Sequence, residues 1–140
     1  MRLSVFTPQS SQQLFIDLQK LYKGYLSDSQ LTTQGLQDLI ETPDKLFFIT
    51  LFNARHLGAV QVTIDKHTAT LSLLCIRDIT RRRGVGKNLL REVEKQLAND
   101  GVKEVQLLLS EISTPEQQGM QLFMQSCGYQ LDAQLLVKSL

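Results

Sequence analysis

Three consecutive arginines followed by Gly-Val-Gly, Arg81 to Gly86, are the residues of this 140-residue chain whose types and spacing best suit a chemical task. Guanidinium groups carry forked donors that match phosphate oxygens. Gly84 and Gly86 allow unusual φ values and keep Cβ atoms away from a bound oxygen cluster. The run lies where a β-rich segment ending at Ile76 gives way to a helical pattern entering at Gly84. A helix N-terminus there would aim its N–H groups and its positive dipole end at one point. With Thr80, Val85 and Lys87, the segment reads as a phosphate-binding loop. Neither GxGxxG nor GxxxxGK(S/T) is present, so a Rossmann or Walker site fits less well.

The elements that must position this loop can be read from periodicity. Met1 to Thr7 alternates around Leu3 and Val5 as an edge strand would. Leu14, Leu18, Leu21, Tyr22 and Tyr25 recur at helical spacing, with Ser10 and Gln13 as a capping-box start. A shorter helix is expected over Thr33 to Glu41, before Pro43. Leu46 to Phe52, Leu57 to Ile64 and Thr68 to Ile76 read as an antiparallel meander, joined by Asn53-Ala54-Arg55-His56 and a turn around Asp65-Lys66. Gly84 to Asn99 carries Val85, Leu89, Leu90, Val93 and Leu97 on one stripe. Val102 to Leu109 reads as a strand buried on both faces near the sheet centre. Thr114 as cap, Pro115 at the first helical position and Gln117 open a helix that ends at Gly128. Tyr129 to Val137 makes a last strand. The order β-α-α-β-β-β-α-β-α-β predicts an α+β domain around one mixed, mostly antiparallel sheet flanked by about four helices.

Composition limits the function classes. The length suits a single domain over residues 1–140. Hydrophobic residues make up 42% and charged residues 21%, and the formal net charge is +1. That balance gives no general attraction to nucleic acid or anionic membrane, so anion binding must be local, at Arg77 to Lys87. No aromatic-interleaved basic stripe supports a nucleic-acid interface. Cys75 and Cys127 lack CxxC or Cys/His spacing and read as buried thiols rather than a disulfide or zinc site. No stretch reaches the ~18 apolar residues of a membrane span, and a cytoplasmic location is expected.

The Arg81 to Gly86 segment resembles the pyrophosphate-binding motif Arg/Gln-x-x-Gly-x-Gly/Ala of GNAT (acyl-CoA N-acyltransferase) proteins, and the element order resembles that fold along nearly the whole chain. The resemblance implies binding of acetyl-CoA or CoA. Backbone groups of Leu74, Cys75 and Ile76 would pair with the pantetheine arm, and Thr80, Arg81, Arg82, Arg83, Gly84, Val85, Gly86 and Lys87 would hold the phosphates. Gly128-Tyr129 resembles the Gly-Phe that follows the last helix in many members.

Many GNAT enzymes carry a tyrosine acid four residues before that Gly-Phe pair, and Met124 stands there, which cannot donate a proton. No carboxylate lies on Thr68 to Ile76 to act as base, and Asp78 lies at the loop itself; Asp65, His67 and Glu111 are the remaining candidates. Arg77 to Lys87, with Phe52-Asn53-Ala54-Arg55, Phe123-Met124-Gln125 and Ile16 to Lys20, is similar to the PanZ/PanM group of GNAT-like proteins. Members of that group bind acetyl-CoA and associate with the aspartate 1-decarboxylase zymogen, promoting its self-cleavage. By this resemblance Asn53 and Arg77 would contact the partner, although the group's arginine before the Phe-Asn pair is Leu51 here. An acetyl-CoA-dependent N-acetyltransferase acting on a small or protein amine is the competing expectation.

Overall fold

The computed structural model describes residues 3–76 and 84–140. Its strands are β1 (Ser4–Phe6), β2 (Lys45–Phe52), β3 (Arg55–Asp65), β4 (Thr68–Ile76), β5 (Glu104–Leu108), β6 (Gln130–Asp132) and β7 (Leu135–Ser139). Its helices are α1 (Gln12–Leu21), α2 (Thr33–Ile40), α3 (Val85–Asn99) and α4 (Thr114–Ser126), with a 3-10 turn at Leu109–Glu111 after β5. The strands form one sheet in the order β1-β2-β3-β4-β5-β7-β6. Among the described strands only β4 and β5 run parallel; the other neighbours are antiparallel. The expected α+β architecture with a mixed sheet and four helices is therefore present.

Alternation along the strands divides the core in two. Phe48, Val60, Val62, Ala69 and Leu71 face the side covered by Leu89, Leu90, Val93 and Leu97 of α3 and Met124 of α4. Phe47, Ile49, Ala59 and Cys75 face Leu14, Leu18, Leu21, Tyr22 and Leu36 from the α1 and α2 side. The period of two in β2 and β3 thus assigns successive residues to opposite layers.

Several boundaries differ from the sequence expectation. Ser11, not Ser10, caps α1, accepting from the Leu14 N–H at 3.1 Å. Gln13 reaches forward to Asp17 at 2.9 Å and so closes no capping box. Ser113 precedes α4, Pro115 takes its second position, and Gln117 donates to the Ile112 carbonyl at 2.9 Å. β5 is fifth of seven strands, and its burial alternates, with Val105 and Leu107 buried while Gln106 bonds to Thr70 at 3.0 Å. It is not a central strand buried on both faces. The last expected strand is a hairpin: Ala133 adopts φ 55, and Asp132 pairs with Leu135 across the turn. The β3–β4 turn falls at Lys66-His67, one residue later than expected.

Candidate functional site

The parallel pair β4–β5 holds for four rungs, from Thr68 with Glu104 to Leu71 with Leu107. β5 then ends at Leu108 and turns away through Leu109–Glu111, while β4 runs on to Ile76. Beyond Leu71, β4 has no ladder partner from β5 among the described residues. Leu74, Cys75 and Ile76 lie on this open edge, where an extended chain carrying amide groups could complete the ladder.

A bulge shapes the edge. Gln61 pairs with Ser72 and Ala59 with Cys75, so Leu73 and Leu74 together oppose Val60. The extra residue shifts the side-chain alternation, and Leu74 joins the α3 layer as Leu71 does. Leu73 adopts φ 54, a left-handed conformation that bulky L-residues avoid. Its carbonyl accepts a 2.6 Å hydrogen bond from the buried Tyr22 hydroxyl, and Cys75 Sγ donates to the Leu21 carbonyl at 2.9 Å. The C-terminal end of α1 therefore pins the bulge at two points. Burial, with the neighbouring Cys75, pushes the Tyr22 phenol well above its ordinary pKa, so it stays a donor.

Helix α3 begins beside this edge. Gly84 precedes it with φ 78, and among the described residues nothing lies within contact of the place a Cβ would take. No acidic residue occupies the first turn, and Lys87 is exposed there. The first intrahelical bond is Asn88 N–H to the Gly84 carbonyl, so the amides of Val85, Gly86 and Lys87 precede the helical ladder. A cation at a helix N-terminus, with the dipole's positive end, suits an anion there. The Asn88 side-chain oxygen is buried without a hydrogen-bond partner among the described residues.

Gly86 is buried within α3, and its role differs from the one expected of it. A Cβ there would lie 2.7 Å from Phe123 Cζ and 3.4 Å from Ile76 Cγ1. Its missing side chain lets the start of α3, the end of β4 and α4 close together. Gly84 alone of the two glycines has a positive φ. Arg77, Thr80, Arg81, Arg82 and Arg83 lie outside the described residues.

Asn53 sits at the tip of the β2–β3 hairpin, at the same end of the sheet as Ile76, which pairs with Gly58. The expected four-residue connection is a two-residue turn, because Phe52 pairs directly with Arg55. Asn53 and Ala54 have φ 50 and 62, the pattern of a type I′ turn. Asp17 of α1, only 2% exposed, accepts from the His56 backbone N–H at 3.0 Å and meets His56 Nδ1 at 2.7 Å. It also binds Gln13 Nε2 at 2.9 Å and lies 3.3 Å from the Arg55 guanidinium. Burial opposes the charge on Asp17, but the His56 and Gln13 hydrogen bonds and Arg55 outweigh it and hold the carboxyl below its ordinary value.

The candidate acid and base positions are scattered. Met124 is fully buried in the core. Asp65 and His67 are exposed at the β3–β4 turn, the far end of β4 from Ile76. Glu111 is exposed on the 3-10 turn where β5 leaves the gap. Two groups escaped sequence reasoning. The Tyr25 hydroxyl donates to Glu116 at 2.9 Å, linking the α1–α2 connection to the first turn of α4. Glu94 on α3 accepts from Tyr129 at 2.8 Å and Lys138 at 2.7 Å, fixing the Gly128-Tyr129 corner. Asp17 and Glu94 had left a signal, since each interrupts an apolar stripe at helical spacing.

A sheet whose parallel pair, among the described residues, parts beside a helix start is the architecture of GNAT proteins. The structure superposes on that of an aminoglycoside 6'-N-acetyltransferase complexed with coenzyme A, with TM-score 0.77, 15% identity, and 99% and 97% of the two chains covered. The solution structure of the Escherichia coli protein YhhK bound to coenzyme A matches with TM-score 0.78 and 31% identity over 99% of each chain. The family model described as "Acetyltransferase (GNAT) domain, PanZ" matches residues 2–137, and the chain belongs to that family. Two relatives named "PanD regulatory factor" agree. That of Salmonella typhimurium is 32% identical over 92% of this chain and 88% of its own. That of Escherichia coli is 34% identical over 91% of this chain and 87% of its own.

Proposed function

We propose that residues 1–140 form one CoA-binding domain that associates with the aspartate 1-decarboxylase zymogen, promotes its maturation and so regulates pantothenate and CoA biosynthesis. The observation that carries this reading is the open edge Leu74–Ile76 beside the start of α3, in a chain related to two PanD regulatory factors. Acetyl-CoA, or CoA itself, is the ligand in this reading. Its pantetheine amides would pair with Leu74, Cys75 and Ile76, and its phosphates would lie at Gly84 to Lys87 with Thr80 to Arg83. Asn53 and Arg77 would meet the zymogen. The hairpin tip and the end of β4 share one end of the sheet, which supports a partner face next to the cofactor. A cytoplasmic location belongs to the same reading; the two cysteines form no disulfide, and no described helix is long and apolar enough to cross a membrane.

Calorimetric titration with the zymogen, with and without acetyl-CoA, tests the proposal. Tight binding that requires acetyl-CoA, together with faster zymogen cleavage, supports it. Absence of zymogen binding, with thiol released from acetyl-CoA when an amine is supplied, overturns it in favour of an N-acetyltransferase.

A further inference from the structure

The β2–β3 hairpin has three features that leave its tip poorly fixed by its own sequence. Ala54 is left-handed although it is neither glycine nor asparagine, while Asn53 suits its place in the turn. An extra residue, Leu57, interrupts the ladder next to the turn, between the pairs Thr50–Gly58 and Leu51–His56. The Arg55 Nε is buried without a hydrogen-bond partner among the described residues. Against these stands a carboxylate from a distant helix. Asp17 is 39 residues away from His56 in sequence, yet it takes both His56 donors and faces Arg55. A carboxylate this deeply buried is costly unless it is fully paired. Gln13 from its own helix and Arg55 and His56 from β3 supply that pairing, so the charge and the hairpin hold each other in place.

We propose that Asp17 is a positioning residue that holds the β2–β3 hairpin in the geometry with which Asn53 engages the zymogen. This rests on the partner reading given above. Asp17 does not reach the partner; it selects one hairpin conformation by accepting from the His56 backbone and ring. The carboxylate also dictates that His56 Nδ1 carries a proton.

The test uses the full chain with Asp17→Asn, which keeps the shape and removes the charge. If the competent hairpin population falls to about a tenth, apparent zymogen affinity falls about tenfold, while coenzyme A affinity stays at the wild-type value. Hydrogen exchange of the Asn53 to His56 amides quickens in the free protein, and the nitrogen spectrum of His56 loses its fixed Nδ1–H form. Adding Ala54→Gly, which relieves the turn, restores part of the zymogen affinity. Should Asp17→Asn not fold, His56→Ala removes the buried ring with its donor and keeps the backbone N–H, and is expected to cost about threefold in zymogen affinity by the same population argument. Unchanged zymogen affinity with unchanged hairpin exchange overturns the proposal, as does a parallel loss of coenzyme A affinity. If the wild-type chain does not bind the zymogen, the partner reading fails by itself, and hairpin exchange alone decides the positioning role.

Discussion

Replacing Tyr22 by Phe removes one hydroxyl and leaves the packing of a fully buried ring intact. The Leu73 carbonyl then loses its 2.6 Å donor inside the protein. A buried carbonyl left without a partner costs about 1–3 kcal/mol. Holding a non-glycine residue left-handed costs about 1–2 kcal/mol more, a strain that the bulge carries already. The lost hydrogen bond is thus comparable to the strain it opposes, and the bulge should begin to relax toward regular pairing. For a chain of this size each kcal/mol moves Tm by about 2–4 °C. The Tyr22→Phe protein is expected to lose about 1–3 kcal/mol in urea denaturation followed by circular dichroism, with an unchanged slope. Because Leu74 and Cys75 take their direction from the bulge, coenzyme A affinity in calorimetry should also fall, by about threefold to tenfold if relaxed forms come to predominate. A variant as stable as the parent and with the same affinity for coenzyme A would refute the view that α1 sets the open edge.

Four other outcomes follow from named contacts. Gly86→Ala places a methyl 2.7 Å from the Phe123 ring; overpacking of about 1–3 kcal/mol exceeds the ~0.5–1 kcal/mol that alanine gains in a helix, and Phe123→Leu should recover the difference in thermal melts. Ala54→Gly alone should stabilise the protein by up to about 1 kcal/mol, because φ 62 suits glycine; a lower denaturation midpoint would contradict the turn geometry. Asp17 has a folded pKa below its unfolded value near 4, so its contribution is present above that pH and is lost as pH falls toward the folded value; Asp17→Asn should flatten the acid limb of a stability-pH curve. Tyr129 is raised mainly by burial and then by Glu94; its contribution is whole below about pH 10 and declines above it, so Tyr129→Phe should weaken alkaline unfolding in pH titrations of stability.

What the sequence made legible is what periodicity and size can report. The stripe Val85, Leu89, Leu90, Val93, Leu97 located α3, and the β-rich runs before Ile76 located the meander. The same two patterns bracket the segment from Ile76 to Gly84. The strand-joining turns are harder to read, because their left-handed positions fall on Asn53, Ala54, Lys66 and Ala133 rather than on glycine. Without Asn-Gly or Asp-Gly, the β2–β3 hairpin read two residues too long, and the β6–β7 hairpin read as one strand. The Leu73 bulge gives no sequence signal at all, since its conformation is imposed by a hydroxyl 51 residues away. Asp17 lies in the run Ile16 to Lys20 that resembles the PanZ/PanM group, but two of its partners, Arg55 and His56, lie on β3. Caps slipped by one residue at α1 and α4, where adjacent Ser10 and Ser11, or Ser113 and Thr114, compete for the same place.

Four rungs join the two halves of the sheet, and parallel rungs are somewhat weaker than antiparallel ones. Considered as a mechanical object, the sheet is a plate of four strands and a plate of three sharing one short hinge line. Ser4 lies in the first plate and Ser139 in the second, so tension applied through these residues must cross that line. A long, amide-bearing molecule laid along β4 would act as a splint across the hinge. The rupture force of the seam would then report occupancy of the gap without any chemical signal from the ligand.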